Sequence, residues 1–350
     1  MVIRFFVAWL AMTPLMAWGD VLVGSWNIRH LGWDNDKAIP QVAHIANHFD
    51  LLAVQELMDT SALARLESSL ETLSGEAWSS MASHDLGRSS YTEHYAFLWR
   101  QSEVAYEDGA VVFLDHGDIF AREPYSARFR DIDTNQVFTV ATIHVVYGDS
   151  LSDRLPEIEA LADYWEWLEE TAAGTLRLLV GDFNLAPNHA GWAPLREHGA
   201  VPVITQGKTT LAMTEESYAN LYDNIWYDAA LLDPTDSGIL RFPDLLFMDH
   251  LEARKRVSDH APVYVGLNGA GLQPIRITGG KPIPNTSTTD CIDLNTSDVT
   301  HLDELPQVGP TRAADIVEGR PWQSPEHLTR ISGLGVARVQ AIHASGLLCE

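Results

Sequence analysis

Residues Leu178-Leu179-Val180-Gly181-Asp182-Phe183-Asn184-Leu185 set an apolar, strand-like run against an abrupt polar end. A run with no polar position has no solvent face, so it reads as a buried strand with other elements packed on it. The two-residue period of a strand would put Asp182 and Asn184 on one face where that strand emerges. A carboxylate and an amide side by side at such a point suit a metal, a water and a phosphate oxygen. A polar turn after a core strand would leave the same letters, so the rest of the chain has to decide.

Four other segments repeat the design. Val21 to Arg29 runs apolar and ends on Asn27 and Arg29; Asp50 to Glu56 ends on Glu56; Phe138 to His144 ends on His144. Ser258-Asp259-His260 stands just before a last short apolar run. One such end is an ordinary turn, and a lone histidine is usually structural. Five in one chain point to strand ends gathered into a site.

Between them lie helical periods. Ile39, Val42, Ile45 and Phe49 recur at three and four, as do Leu63, Leu66, Leu70 and Leu73, and Ile158, Leu161, Trp165 and Leu168. These large residues read as core. Strands covered by helices give an α/β (α+β) chain. From Leu267 to Asp290 the sequence turns to Gly, Pro, Ser and Thr without an aromatic residue, the composition of a linker. Boundaries follow at 1–19, 20–267, 268–289 and 290–350.

The ordered motifs resemble the endonuclease/exonuclease/phosphatase superfamily, most closely its deoxyribonuclease I branch, over roughly Val21 to Leu267. GDFN and SDH carry the superfamily likeness. Tyr91-Thr92-Glu93-His94-Tyr95, Arg122-Glu123-Pro124 and Tyr222-Asp223-Asn224-Ile225 carry the branch. The resemblance implies a four-layered sandwich of two mixed sheets with outer helices. It also implies a phosphodiesterase acting on DNA with Mg2+ or Mn2+, and with Ca2+ as a further candidate. His144 would pair with Glu93 and His260 with Asp223. Asp182 and Asn184 would orient water and phosphate, and Glu56, Asn27 and Asp259 would be the metal ligands. Tyr91, Arg122 and Arg29 would touch phosphate. Met58 stands where the pancreatic type carries a groove-reading arginine, so cleavage preferences should differ.

After the linker, Leu302 to Val317 and Leu328 to Val339 each read as helix, tight turn, helix, and resemble a tandem helix-hairpin-helix DNA-binding module, a small all-α domain. A glycine turn opening a helix offers backbone N–H groups to phosphate without many lysines. Gly333-Leu334-Gly335 keeps the full pattern, whereas Gln307 stands where the first hairpin would carry glycine. Cys291 and Cys349 bracket this module. Bridged, they would close a loop of about 60 residues, worth about 4 kcal/mol on the chain-entropy model; two unpaired thiols are the alternative.

Arg4, the apolar stretch Phe5 to Met16, and Ala17-Trp18-Gly19 read as a secretory signal with cleavage before Asp20. No later stretch has the ~18 apolar residues of a membrane helix. The formal charge of −25 argues against salt-resistant coating of DNA by basic residues. The expectation is a secreted, monomeric, metal-dependent endonuclease for double-stranded DNA, with single-stranded DNA as a further candidate. Its rivals are a phosphodiesterase for phospholipid or RNA, a repair nuclease, and a DNA-binding receptor with an inactive nuclease domain.

Overall fold

The structure is a computed structural model and describes residues 21–33, 37–214, 217–246, 248–272, 292–303, 305–322, 324–336, 338–339, 342 and 348. The expected signal segment, most of the expected linker, and both Cys291 and Cys349 lie outside the described residues. The chain divides into two compact units, Met1–Arg241 with His250–Gly279 and Phe242–Asp249 with Gly280–Glu350.

The first unit holds two six-stranded mixed sheets. One runs, in spatial order, β11 (Ser237–Ile239), β12 (Val263–Gly266), β1 (Leu22–Leu31), β2 (Leu51–Leu57), β4 (His94–Arg100) and β3 (Trp78–Ala82). The other runs β5 (Val104–Val112), β6 (Tyr125–Asp131), β7 (Val137–His144), β8 (Leu176–Asp182), β10 (Asp223–Asp228) and β9 (Ala200–Pro202). Each has one parallel pair, β1 with β2 and β7 with β8. A parallel pair needs a crossover, and helices α1 (Ile39–Ala46) and α3 (Leu151–Thr171) supply the two. Helix α2 (Thr60–Ser74) packs beside α1 against the first sheet, α3 lies on the second, and α4 (Ala193–Glu197) and α6 (His250–Arg256) complete the unit.

Alternation builds the core. Val23 on β1, Leu51 and Ala53 on β2, Tyr95, Phe97 and Trp99 on β4, and Val263 and Val265 on β12 meet the inward residues of the second sheet. Those are Tyr125, Ala127 and Phe129, Phe138 and Val140, Leu176, Leu178 and Val180, and Ile225. The intervening residues Ala141, Ile143, Leu179 and Trp226 turn outward onto Ile158, Leu161, Trp165 and Leu168 of α3. β8 is therefore apolar throughout because it is covered on both faces. Among the described residues no helix is long and apolar enough to cross a membrane.

The second unit contains α5 (Phe242–Leu245), α7 (Val299–Leu302), α8 (Pro310–Glu318) and a short 3-10 helix at Pro325–Arg330. Leu302, Leu305, Val308, Ala313, Ile316, Trp322, Leu328, Ile331 and Leu334 form its core. Each hairpin turns on one left-handed residue, Gly333 at φ +82° in the second and Gln307 at φ +67° in the first. The first turn thus forms with Gln307 in place of glycine at its left-handed position. In both, an arginine five residues on donates to the carbonyl of the left-handed residue: Arg312 Nη1 to Gln307 O at 2.8 Å, and Arg338 Nη1 to Gly333 O at 2.7 Å. The bond ties the turn down where Gln307 must adopt strained backbone.

Candidate active site

The inward alternation does not stop where the core does. One step past Val180 stands Asp182; two past Val140 comes His144, after Thr142; below Ile225 is Asp223; below Tyr95 is Glu93; and beyond Val23 and Ser25 lies Asn27. All occupy the face between the sheets, at one end of it. β7, β8 and β10 are in register there, His144 opposite Asp182 and Asp182 opposite Asp223. Beneath them Gln55 Nε2 donates to Ser25 Oγ (3.2 Å) and Thr142 Oγ1 (2.8 Å), a polar layer between apolar core and site. Above them opens a pocket of about 520 Å³, lined among others by Glu56, Tyr91, Arg122, Asp182, Asn184 and Asp259.

Both histidines line this pocket. His144 Nδ1 lies 3.0 Å from Glu93 Oε1, and His260 Nδ1 lies 2.8 Å from Asp223 Oδ2. Their Nε2 atoms stand 3.7 Å and 3.6 Å from the same atom, Asp182 Oδ2. Burial alone would lower both imidazoles. The Glu93 charge and hydrogen bond overcome it at His144, which is raised, and Asp223 with Asp182 raises His260 well above the usual range. Burial would raise Glu93, yet His144 and Arg122 hold it below the ordinary carboxylate value. Asp182 goes the other way: burial, together with Asp223, raises it against the pull of the two histidines. His260 is aimed by its neighbours, since Trp26 Nε1 donates to its carbonyl (2.7 Å) and its N–H donates to Ser258 Oγ. Ser258 Oγ in turn donates to Asn27 O at 2.6 Å, which gives the SDH serine its part.

Asn27 Nδ2 donates to Glu56 Oε1 (2.9 Å) and Asp182 Oδ2 (3.2 Å), bringing three of the expected polar residues together. Asp259, expected among the metal ligands, instead faces two guanidiniums, Arg254 at 3.1 Å and Arg29 at 3.7 Å. Arg29, expected to touch phosphate, lies where the strand loses its register. β1 breaks register with β2 between Asn27 and Leu31, so Arg29 does not continue the Asn27 face; its Nη1 donates to Arg254 O. Asn184 departs similarly. β8 ends at Asp182, whose Oδ1 accepts the Asn184 N–H (3.0 Å); Asn184, at φ +50°, donates Nδ2 to Val145 O. Asn tolerates that left-handed conformation, and the pair forms a turn at the strand end in place of a two-residue strand repeat.

Tyr91 Oη donates to Glu93 Oε2 at 3.3 Å, and burial with the charges of Glu56 and Glu93 raises its phenol. Arg122 donates Nε and Nη2 to the His144 carbonyl and lies 3.7 Å from Glu93. Glu157 was not foreseen, because on α3 it looks like any helix-surface acid. It is buried, and its carboxylate accepts the N–H groups of Ala121 (2.9 Å) and Val146 (3.1 Å). It thereby fixes both the Arg122 segment and the chain after His144. Arg154 does the same nearby, donating to Tyr147 O and Asn184 O. Tyr95 Oη accepts the His144 N–H at 2.8 Å. Arg254, in a run of basic residues that reads as a solvated face, lines the pocket.

A cation has two groupings to consider. Asp182, Asp223 and His260 offer ligand atoms within 4.8 Å of one another. Both His260 nitrogens there are already directed at carboxylates, which is the geometry of a hydrogen-bond chain. Glu56 and Asp182 present carboxylate oxygens of the kind hard cations prefer, while Asn27, expected as a ligand, turns its Nδ2 to both and its Oδ1 to the Arg29 N–H. In the second unit, Gly335 O accepts from the N–H groups of Arg338 and Val339, and Gly309 is the N-cap of α8. The first hairpin thus opens α8, and the chain after the second turns back onto Gly335. A Cβ at Gly335 would meet nothing within 4 Å, whereas one at Gly333 would meet the Arg312 guanidinium at 2.8 Å.

Residues 287–345 match a family model described as the helix-hairpin-helix motif. Over 355 residues the chain is 45% identical to a deoxyribonuclease of Thioalkalivibrio sp. (strain K90mix), covering 99% of this chain and 97% of that protein. It is 25% identical to deoxyribonuclease-1 of Oryctolagus cuniculus over 268 residues, 71% of this chain and 93% of that protein. Among solved structures, an endonuclease/exonuclease/phosphatase family protein from Bacteroides thetaiotaomicron superposes with a TM-score of 0.51 at 18% identity. That match covers 71% of this chain and 97% of that one and shares the fold.

Proposed function

This chain belongs to the deoxyribonuclease I-like branch of the endonuclease/exonuclease/phosphatase superfamily, and from that premise we propose a secreted, divalent-metal-dependent endonuclease that hydrolyses DNA with little sequence specificity. One observation carries the chemistry: two imidazoles, each backed at Nδ1 by a buried carboxylate, turn their Nε2 atoms toward one point beside Asp182. A phosphodiester there would have a proton-handling group on either side.

His260 Nε2 takes the proton from the attacking water as its oxygen bonds phosphorus. His144 Nε2 gives a proton to the ester oxygen as the P–O bond breaks. Glu93 and Asp223 hold the Nδ1–H tautomers and stabilise the charged rings. Asp182, uncomfortable as a buried anion, gains from any positive charge or donated proton in the site. Glu56 and Asp182, bridged by Asn27 Nδ2, would hold Mg2+ or Mn2+, which when bound withdraws charge from the phosphate. Asp259 fits better as the residue that orients Arg29 and Arg254. Those two, with Tyr91 and Arg122, supply phosphate contacts that position the strand without reading bases. Gly333 and Gly335 are the proposed backbone contacts of the second unit.

Supercoiled plasmid incubated with the protein tests this. We expect nicking and then degradation with magnesium or manganese, and none with chelator. Full cleavage after rigorous metal removal would overturn the metal requirement. Hydrolysis of phospholipid vesicles with no plasmid nicking would overturn the substrate.

A further inference from the structure

β1 bulges at Arg29 and His30 before it pairs again with β2 at Leu31. Arg29 and His30 are consecutive non-glycine residues at φ +46° and +54°, a conformation that persists only where the surroundings enforce it. The enforcing groups belong to the site itself: Asn27 Oδ1 accepts the Arg29 N–H at 2.9 Å, and Glu56 Oε2 accepts the His30 N–H at 3.1 Å. The excursion carries two rings to the rim. His30 Nε2 sits 3.1 Å from Glu56 Oε2, and its ring lies 4.1 Å from that of Trp33. Trp33 meets Tyr91 edge-on at 5.8 Å, and Tyr91 lines the pocket. Trp33 is nonetheless 47% exposed. A large indole kept half in water, just past backbone pinned in a left-handed conformation by the site's own polar residues, is poorly explained by packing.

We propose that Trp33, with His30 and Tyr91, forms a nucleobase-stacking subsite beside the catalytic pocket, and that its ligand is an unstacked base of single-stranded DNA. Every base has a π-face, so such a platform binds without reading sequence. In a duplex those faces are already covered by neighbouring bases, which favours single strands and frayed ends. Stacking also suits a chain of charge −25, because its contribution does not depend on counterion release. The proposal rests on the nuclease reading of the pocket, but its binding arm can be measured without cleavage.

The test uses the full-length protein and a short single-stranded oligonucleotide carrying 2-aminopurine, in chelator. Wild type is expected to quench the probe on binding. Trp33→Ala should abolish the quenching and weaken binding about tenfold, or about 1.4 kcal/mol, within the range of one stacked base. Trp33→Phe, which keeps a ring, should retain most of both. In the cleavage arm with magnesium, Trp33→Ala should raise KM about tenfold on the single strand and less than about threefold on the matched blunt duplex. Unchanged quenching and affinity in Trp33→Ala, or an equal rise of KM on both substrates, would overturn the proposal. If wild type cleaves neither substrate, the nuclease reading fails, while the quenching still decides the stacking.

Discussion

Gly181→Ala is the sharpest perturbation of the motif that organises this chain. Gly181 sits at φ +148°, and a Cβ built there falls 1.9 Å from the Ile143 carbonyl oxygen, a backbone atom of the neighbouring strand. Real Cβ contacts essentially never fall below 3.0 Å, so β7 and β8 must separate locally by about 1.1 Å. The backbone strain costs about 1–3 kcal/mol and the overpacking about as much again, so a loss of about 4 kcal/mol in unfolding free energy is expected. The next pair along the register is His144 opposite Asp182. Displacing reacting groups by about 1 Å can cost about 10²-fold in rate. Gly174→Ala is the control, since Gly174 is also left-handed (φ +76°) but a Cβ there meets nothing within 4 Å. It should cost about 1–2 kcal/mol and leave turnover within about threefold. Urea unfolding followed by tryptophan fluorescence measures the first quantity, and single-turnover nicking of supercoiled plasmid measures the second. A Gly181→Ala protein as stable and as fast as the Gly174→Ala control would refute the reasoning.

Three further outcomes are expected. Stability should depend on pH through the two pairs. Glu93, depressed in the fold, contributes above its unfolded value and loses that contribution as pH falls through its folded one; His144 and His260, raised, contribute fully below their unfolded values and lose it as pH rises through the folded ones. Thermal melting should therefore peak in mildly acidic buffer, and a flat profile across neutral pH would contradict the pairing. Asp223→Asn removes the leading charge that raises His260, so the rising limb of the rate–pH profile should move to lower pH while turnover falls; an unmoved limb would take His260 out of that step. Deleting the region from Asp290 onward should spare short oligonucleotides and weaken action on long, dilute DNA, because a tethered weak site raises local substrate concentration. Replacing Gly333 and Gly335 with bulkier residues should reproduce that deletion, and equal activity of truncated and intact enzyme on long DNA at every salt concentration would show another role.

The strands and the three long helices were legible because burial on one or both faces imposes a period, and Leu63, Trp165 and Val180 obey it. The histidine–carboxylate partners were legible only through family likeness. His144 and Glu93 lie 51 residues apart, and nothing local in YTEHY says that Glu93 turns inward. Where local pattern misled, backbone was the cause. Arg29, in the irregular end of β1, and Asn184, just past β8, sit at left-handed positions, so counting by two no longer predicts a face. Glu157, Arg154 and Arg254 were missed because each looks like a solvated helix residue until the loop it fixes, or the pocket it lines, folds against it. Asp259 was expected as a ligand from the family likeness; its two arginine neighbours come from other segments.

The central claim is that His144 and His260 both act on the phosphodiester, and single-turnover nicking of supercoiled plasmid in magnesium tests it directly. His144→Ala and His260→Ala should each fall by about 10²–10⁴-fold, the usual span for an acid–base group, while circular dichroism and melting show a folded protein. A loss below about tenfold for either folded variant would contradict the account.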